Sequence, residues 1–132
     1  MSIYTMGIDV GSTASKCVIM KDGQEIVAKS LVPVGTGTSG PSRAIAEVLK
    51  NAGMTREQMN FVLATGYGRN SLDGLADMQM SELSCHARGA ASLFPDVRTV
   101  VDIGGQDVKV IEIENGQMRN FVMNDKCAAG TG

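Results

Sequence analysis

The sequence lacks several features, and each absence removes a class of function. No apolar run approaches the ~20 residues needed to cross a bilayer, so no membrane-spanning segment and no membrane partner are expected. The opening stretch, Met1 to Val10, has no basic region followed by a long apolar core. It does not read as a signal peptide, and a cytoplasmic protein is the default expectation. Positive charge is not in excess: 12 Lys and Arg against 14 Asp and Glu leave a net charge of −2. Nucleic acid, whose binders carry a basic face, is not an expected partner. There is no CxxC pair, and Cys17, Cys85 and Cys127 are an odd set. Neither a disulfide framework nor a self-contained zinc or cluster site is expected from them.

The 132 residues, 43% hydrophobic and 20% charged, suit a globular chain with a core of its own. Nine methionines read as packing material for that core, while the 16 glycines gather at turns. Ile3 to Val10 is apolar and reads as a buried strand, followed by strands over Ser15–Lys21 and Gln24–Val34. Asp22-Gly23 between them signals a tight two-residue hairpin, whose central positions need φ > 0. Gly35 to Gly40 is a loop. Pro41 suits a helix start, Ala44, Ile45, Val48 and Leu49 recur at helical spacing, and Gly53 suits a helix end. Phe61–Thr65 reads as a short strand, Gly66-Tyr67-Gly68 as a turn, and Met80–Leu93 as a helix closed by Pro95. Strands over Arg98–Ile103, Val108–Ile113 and Gln117–Met123 follow, the last two joined by Asn115-Gly116.

A shift of about 93 positions superposes two of these segments. Asp9 falls on Asp102, Gly11 on Gly104, Lys16 on Lys109, Gly23 on Gly116 and Gln24 on Gln117. Each copy reads strand, Asp, glycine turn, strand, Asx-Gly hairpin, strand. An agreement at so many chemically distinct positions points to internal duplication.

A glycine turn between strands aims backbone N–H groups into a small concavity, and such nests hold anions, phosphate above all. Ser12 and Thr13 add hydroxyls to the first turn, and Gln106 adds an amide to the second. Asp9 and Asp102, at the strand ends, suit magnesium, which keeps much of its water shell and takes few protein ligands. The plainer reading, that both aspartates only cap turns, does not explain why both copies carry the same residue.

The pattern resembles the superfamily of actin, Hsp70 and the acetate and sugar kinases. Asp9-Val10-Gly11-Ser12-Thr13 stands as its first phosphate motif and Asp102-Ile103-Gly104-Gly105-Gln106-Asp107 as its second, with the two halves clamping ATP or ADP and Mg²⁺. Segments 7–16 (GIDVGSTASK), 64–69 (ATGYGR), 82–89 (ELSCHARG), 102–107 (DIGGQD) and 124–132 (NDKCAAGTG) further resemble the activator components of 2-hydroxyacyl-CoA dehydratases, in the BadF/BadG/BcrA/BcrD ATPase family. That resemblance implies catalytic roles for Asp9, Asp102 and Gln106. It implies nucleotide contacts from Gly11, Ser12, Thr13, Ala14, Ser15, Lys16, Gly104, Gly105, Ala129 and Gly130. It also implies that Cys127 is a ligand of one [4Fe–4S] cluster shared by a homodimer. ATP hydrolysis would accompany one-electron transfer to a dehydratase in anaerobic metabolism, with ferredoxin or flavodoxin recharging the cluster. Two copies of Cys127 supply two of four thiolates, and the family's second cysteine and its adenosine-binding Gly-Gly pair lie beyond residue 132. The chain therefore reads as part of something longer.

The implied fold is α/β of the ribonuclease-H-like, actin-like ATPase type: a mixed sheet with flanking helices and duplicated lobes. Residues 1–95 would form the first lobe and 96–132 the start of the second. Two rivals are a small-molecule kinase of the same superfamily, without iron, and a nucleotide-binding fragment without turnover. Other motifs carry less. Gly35 to Gly40 matches GxGxxG but ends a hairpin rather than the first strand of a βαβ unit, so it reads as a mobile loop and not a dinucleotide site. Cys85 and His86 are adjacent on a helix and point about 100° apart, which is unsuited to a nucleophile and its base. Cys17 reads as core. Lys16 and Lys109 could reach phosphate, although strand lysines more often face solvent. Arg69, beside glycines, is a weaker candidate.

Overall fold

The computed structural model describes residues 1–72, 74–104 and 107–124. Two compact units are present, one over Met1–Ser81 and one from Glu82 onward.

In the first unit, β1 (Tyr4–Val10), β2 (Ser15–Lys21), β3 (Glu25–Val32), β4 (Phe61–Thr65) and β5 (Met78–Gln79) form a mixed sheet in the order β3-β2-β1-β4-β5. β1 runs antiparallel to β2 and parallel to β4. Alternate residues point to one face: Met6, Ile8 and Val10 on β1, Cys17 and Ile19 on β2, Val62 and Ala64 on β4. Helix α1 (Gly40–Ala52) covers that face with Ala44 and Val48. Each aliphatic side chain buried this fully contributes about 1.5–3 kcal/mol. Pro41 lies in the first turn of α1, and Gly53 ends it at φ 66°, donating its N–H to Leu49 and Lys50 carbonyls. The sequence marks both ends of this helix.

Burial pushes the Cys17 thiol up from 9.0 to about 12, against an opposing side-chain hydrogen bond with Ser30. Because the folded value is the higher one, the stabilisation from a neutral thiol is complete below about pH 9 and is lost as pH rises through about 12. The expected outcome of iodoacetamide labelling at about pH 8 is that half-buried Cys85 reacts well before Cys17. Mass spectrometry of the digest reads this, and equal labelling of both in the folded chain would contradict it.

In the second unit, β6 (Thr99–Gly104), β7 (Asp107–Glu114) and β8 (Gln117–Asn124) form an antiparallel sheet. Helix α2 (Glu82–Leu93) packs on it through Leu83 and Ala87 against Ile111 and Ile113. The sequence reading starts this helix at Met80. Instead the Met80 amide donates to the Ala64 carbonyl at 3.0 Å, continuing the β4–β5 pairing.

The duplication holds at the level of register. Met6↔Ile19, Gly7↔Val18, Ile8↔Cys17, Asp9↔Lys16 and Val10↔Ser15 return as Thr99↔Glu112, Val100↔Ile111, Val101↔Val110, Asp102↔Lys109 and Ile103↔Val108. The register break between Ile19 and Met20 returns between Glu112 and Ile113. The hairpin turns differ by one residue. Asn115 (φ 54°) and Gly116 (φ 76°) form the expected two-residue turn between Glu114 and Gln117. Lys21 pairs instead with Glu25, so Asp22 (φ 53°), Gly23 (φ 68°) and Gln24 form a three-residue turn. Gln24 is therefore a turn residue and not the counterpart of Gln117, which opens β8. The copies also differ in which face is covered. α1 lies on the Met6, Ile8 and Val10 face, whereas α2 lies on the face that carries Asp102, Lys109 and Ile111. Val101, Ile103 and Val122, on the other face of the second sheet, are exposed.

Candidate functional site

The first turn is built by close packing of backbone. The Gly11 N–H donates to the Ala14 carbonyl at 2.9 Å and closes the turn between β1 and β2. The Thr36 N–H donates to the Gly11 carbonyl at 2.9 Å, and a side chain at Gly35 would run into the backbone of Ser12 and Gly11. Thr38 Oγ1 donates to the Gly35 carbonyl at 2.6 Å and accepts from the Gly40 N–H at 2.9 Å. Within the 35–40 loop, Gly35, Thr36 and Gly40 thus pack against the turn, while Gly37, Thr38 and Ser39 are exposed. Ser15 is fully buried and its hydroxyl donates to the Val34 carbonyl at 2.8 Å, so its side chain belongs to the same packing. Ser12 and Thr13 stand exposed at the tip.

Asp9 sits beside this turn. Lys16, its cross-strand partner, places Nζ 3.1 Å from Asp9 Oδ2, with the two side chains 44% and 37% exposed. An ion pair that open contributes under about 1 kcal/mol, so stability does not explain it. On its other side Asp9 faces Gly66, which has φ 97°, and a Cβ there would meet Asp9 Oδ1 and the Val10 carbonyl. The Gly68 N–H donates to that carbonyl at 2.8 Å, and Arg69 holds the Gly66 carbonyl through a guanidinium nitrogen at 3.0 Å. Arg69 therefore acts on the turn backbone. Thr65 is in register with Asp9 on the parallel strand β4, and its Oγ1 is buried without a hydrogen-bond partner. Thr65 lies within the 64–69 segment, but its place beside Asp9 depends on β1–β4 pairing.

In the second unit the equivalent aspartate has different neighbours. Lys109 is 5% exposed and lies 3.8 Å from both Asp102 Oδ2 and Glu82 Oε2. The expectation that Lys109 faces solvent is wrong: α2 covers its face of the sheet, and two carboxylates offset the buried charge. His86 places Nδ1 3.1 Å from Asp102 Oδ2, off the line of a hydrogen bond, with Nδ1 itself buried. Glu82 and His86 are four residues apart, hence on one helix face. Gly104 ends β6. Gly105, Gln106, Cys127, Ala129 and Gly130 lie outside the described residues. Among the described residues no three His, Cys, Asp or Glu side chains converge as a metal site, and no helix is long and apolar enough to span a membrane.

The profile of the BadF/BadG/BcrA/BcrD ATPase family matches residues 6–132. The chain belongs to that family. Its BadF/BadG/BcrA/BcrD relatives include the (R)-2-hydroxyglutaryl-CoA dehydratase activating ATPase of Acidaminococcus fermentans, 76% identical over 132 residues, which are all of this chain and 51% of the relative. The solved structure of component A of that dehydratase superposes with a TM-score of 0.92 over 97% of this chain and 49% of the other. The activator of 2-hydroxyisocaproyl-CoA dehydratase from Clostridium difficile, solved with bound ADPNP, is 54% identical, with a TM-score of 0.90 over 97% of this chain and 48% of the other. The chain spans about half the length of the curated relatives it matches. Its fold is of the ribonuclease-H-like, actin-like ATPase type shared with these family members.

Proposed function

We propose that the chain is the phosphate-gripping part of an ATP-dependent activator that passes single electrons to a 2-hydroxyacyl-CoA dehydratase. The 76% identity to an activating ATPase across the whole chain carries this reading. The duplicated Asp–Lys turn, in the same register in both units, supports it.

In this reading Gly11, Ser12, Thr13, Ala14 and Lys16 grip phosphate in one unit, and Gly104 and Gly105 do so in the other. The backbone at Ser15 belongs to the first group. Asp9, Asp102 and Gln106 are the catalytic set, and Ala129 and Gly130 add nucleotide contacts. The side chains of Asp9 and Asp102 are both 37% exposed. That exposure fits a magnesium ion held through its own water, which would neutralise phosphate charge when bound. Cys127 would supply one thiolate to a [4Fe–4S] cluster completed by a second subunit, and the bound cluster would carry the electron. Cys17 is unsuited to that role, since burial keeps its thiol protonated. Ferredoxin or flavodoxin would restore the electron in an anaerobic cytoplasm. Residues 1–95 would form the first ATPase lobe, and the second would open at about residue 96.

Anaerobic purification tests this. The expected protein is brown, holds about four irons per dimer, and reduces its dehydratase only with Mg-ATP. A colourless protein that consumes ATP in proportion to a sugar substrate would overturn the reading.

A further inference from the structure

We infer that His86 is a positioning residue for Asp102, fixing the direction of its carboxylate toward a bound Mg-nucleotide. The inference rests on the nucleotide role proposed for Asp102.

The two copies differ in what holds the aspartate. Both aspartates pair with a lysine across the same strand register. Asp9 is also held from the side by the Gly66 turn, whose backbone lies against Oδ1. Asp102 has a helix in that role. α2 presents Glu82 and His86 on one face, toward the Asp102–Lys109 pair. Lys109 Nζ stands 3.8 Å from Asp102 Oδ2, a charge contact beyond direct hydrogen-bond distance. His86 Nδ1 approaches Asp102 Oδ2 more closely, at 3.1 Å. It is buried and unaligned with any acceptor, which leaves its hydrogen-bonding capacity unused at a position where unused capacity is costly. Polar contacts at nucleotide sites are often long or misaligned without ligand and tighten in the complex. A carboxylate turned toward the magnesium water shell would satisfy both groups, while one released by His86 could swing toward Lys109.

The test compares His86→Ala, His86→Asn, Asp102→Asn and the double variant His86→Ala/Asp102→Asn in the full chain, each first checked for folding by circular dichroism. The readouts are the half-saturating Mg²⁺ for ATP binding and the affinity for ATP without metal. Expected for His86→Ala is an increase in half-saturating Mg²⁺ of about 10- to 100-fold, with metal-free affinity within about twofold. His86→Asn, which returns a donor near the Nδ1 position, recovers most of the loss. In the Asp102→Asn background, His86→Ala adds less than about twofold. A normal His86→Ala beside an impaired Asp102→Asn overturns the inference and leaves the Asp102 reading intact, as do losses that multiply in the double variant. A normal Asp102→Asn overturns both. If His86→Ala fails to fold, the wild-type chain still decides: His86 ring resonances must shift on adding Mg²⁺ to the ATP-bound protein, and unmoved resonances overturn the inference.

Discussion

Gly66→Ala is expected to unfold the chain at a markedly lower temperature and to weaken ATP binding in the molecules that remain folded. Two independent terms add. A side chain at φ 97° is strained, and its Cβ would also collide with the Val10 carbonyl and with Asp9 Oδ1. Strain and overpacking cost about 1–3 kcal/mol each, and 1 kcal/mol shifts Tm by about 4–8 °C in a domain of this size. The collision with Asp9 displaces the carboxylate that the proposed mechanism uses. Losing one interaction to a charged group costs about 1.5–3 kcal/mol, or tenfold and more in affinity. Gly53→Ala is the control. Gly53 also has positive φ, at 66°, but a Cβ there meets nothing within 4 Å and the residue only ends α1. It should lose about 1 kcal/mol from backbone strain alone and keep its ATP affinity. Thermal melts and calorimetric titration with ATP measure both quantities. If the two variants behave alike in both, Gly66 does not serve Asp9.

Cys127→Ser is expected to remove iron and electron transfer together while sparing nucleotide binding. Clusters require thiolates, and serine does not replace one well. Iron should fall from about four per dimer to near zero, with ATP affinity within about twofold of the unaltered protein. Cys85→Ser should keep its iron. Iron and sulfide assays under anaerobic conditions, beside an ATP titration, separate the cases. Retained iron in Cys127→Ser, or iron lost from Cys85→Ser instead, would remove Cys127 from the cluster and with it the proposed electron route.

The parts of this fold that were legible in the sequence are those written within a few neighbouring residues. Asp22-Gly23 and Asn115-Gly116 announce their turns because few other pairs accept φ > 0 twice in succession. Pro41 and Gly53 bracket α1 through one residue that suits a first helical turn and one that accepts the left-handed end. Strand β5 was missed because two residues carry no periodicity; pairing with β4 defines it. The stretch from Gly35 to Gly40 looked like a loose loop because its packing depends on Gly35 lying against Gly11 and Ser12, more than twenty positions upstream. Both glycine turns were legible, whereas Gly66 and Thr65 became neighbours of Asp9 only through the sheet of the first unit, and His86 a neighbour of Asp102 only through α2 in the second.

By itself the sequence determined the duplication, since Asp, Gly, Lys and the Asx-Gly turn are local choices repeated at one spacing. The register of Asp9 with Lys16 and of Asp102 with Lys109 follows from it, because a tight turn and a period of two leave little freedom between adjacent strands. What tertiary structure alone decided is the environment of each pair. α1 covers the face away from Asp9 and leaves Lys16 half-exposed beside it. α2 covers the face of Asp102, buries Lys109, and brings Glu82 and His86 to it. Either face of a strand pair this apolar can serve as core, and the choice is made by residues far along the chain, whose burial outweighs any local preference.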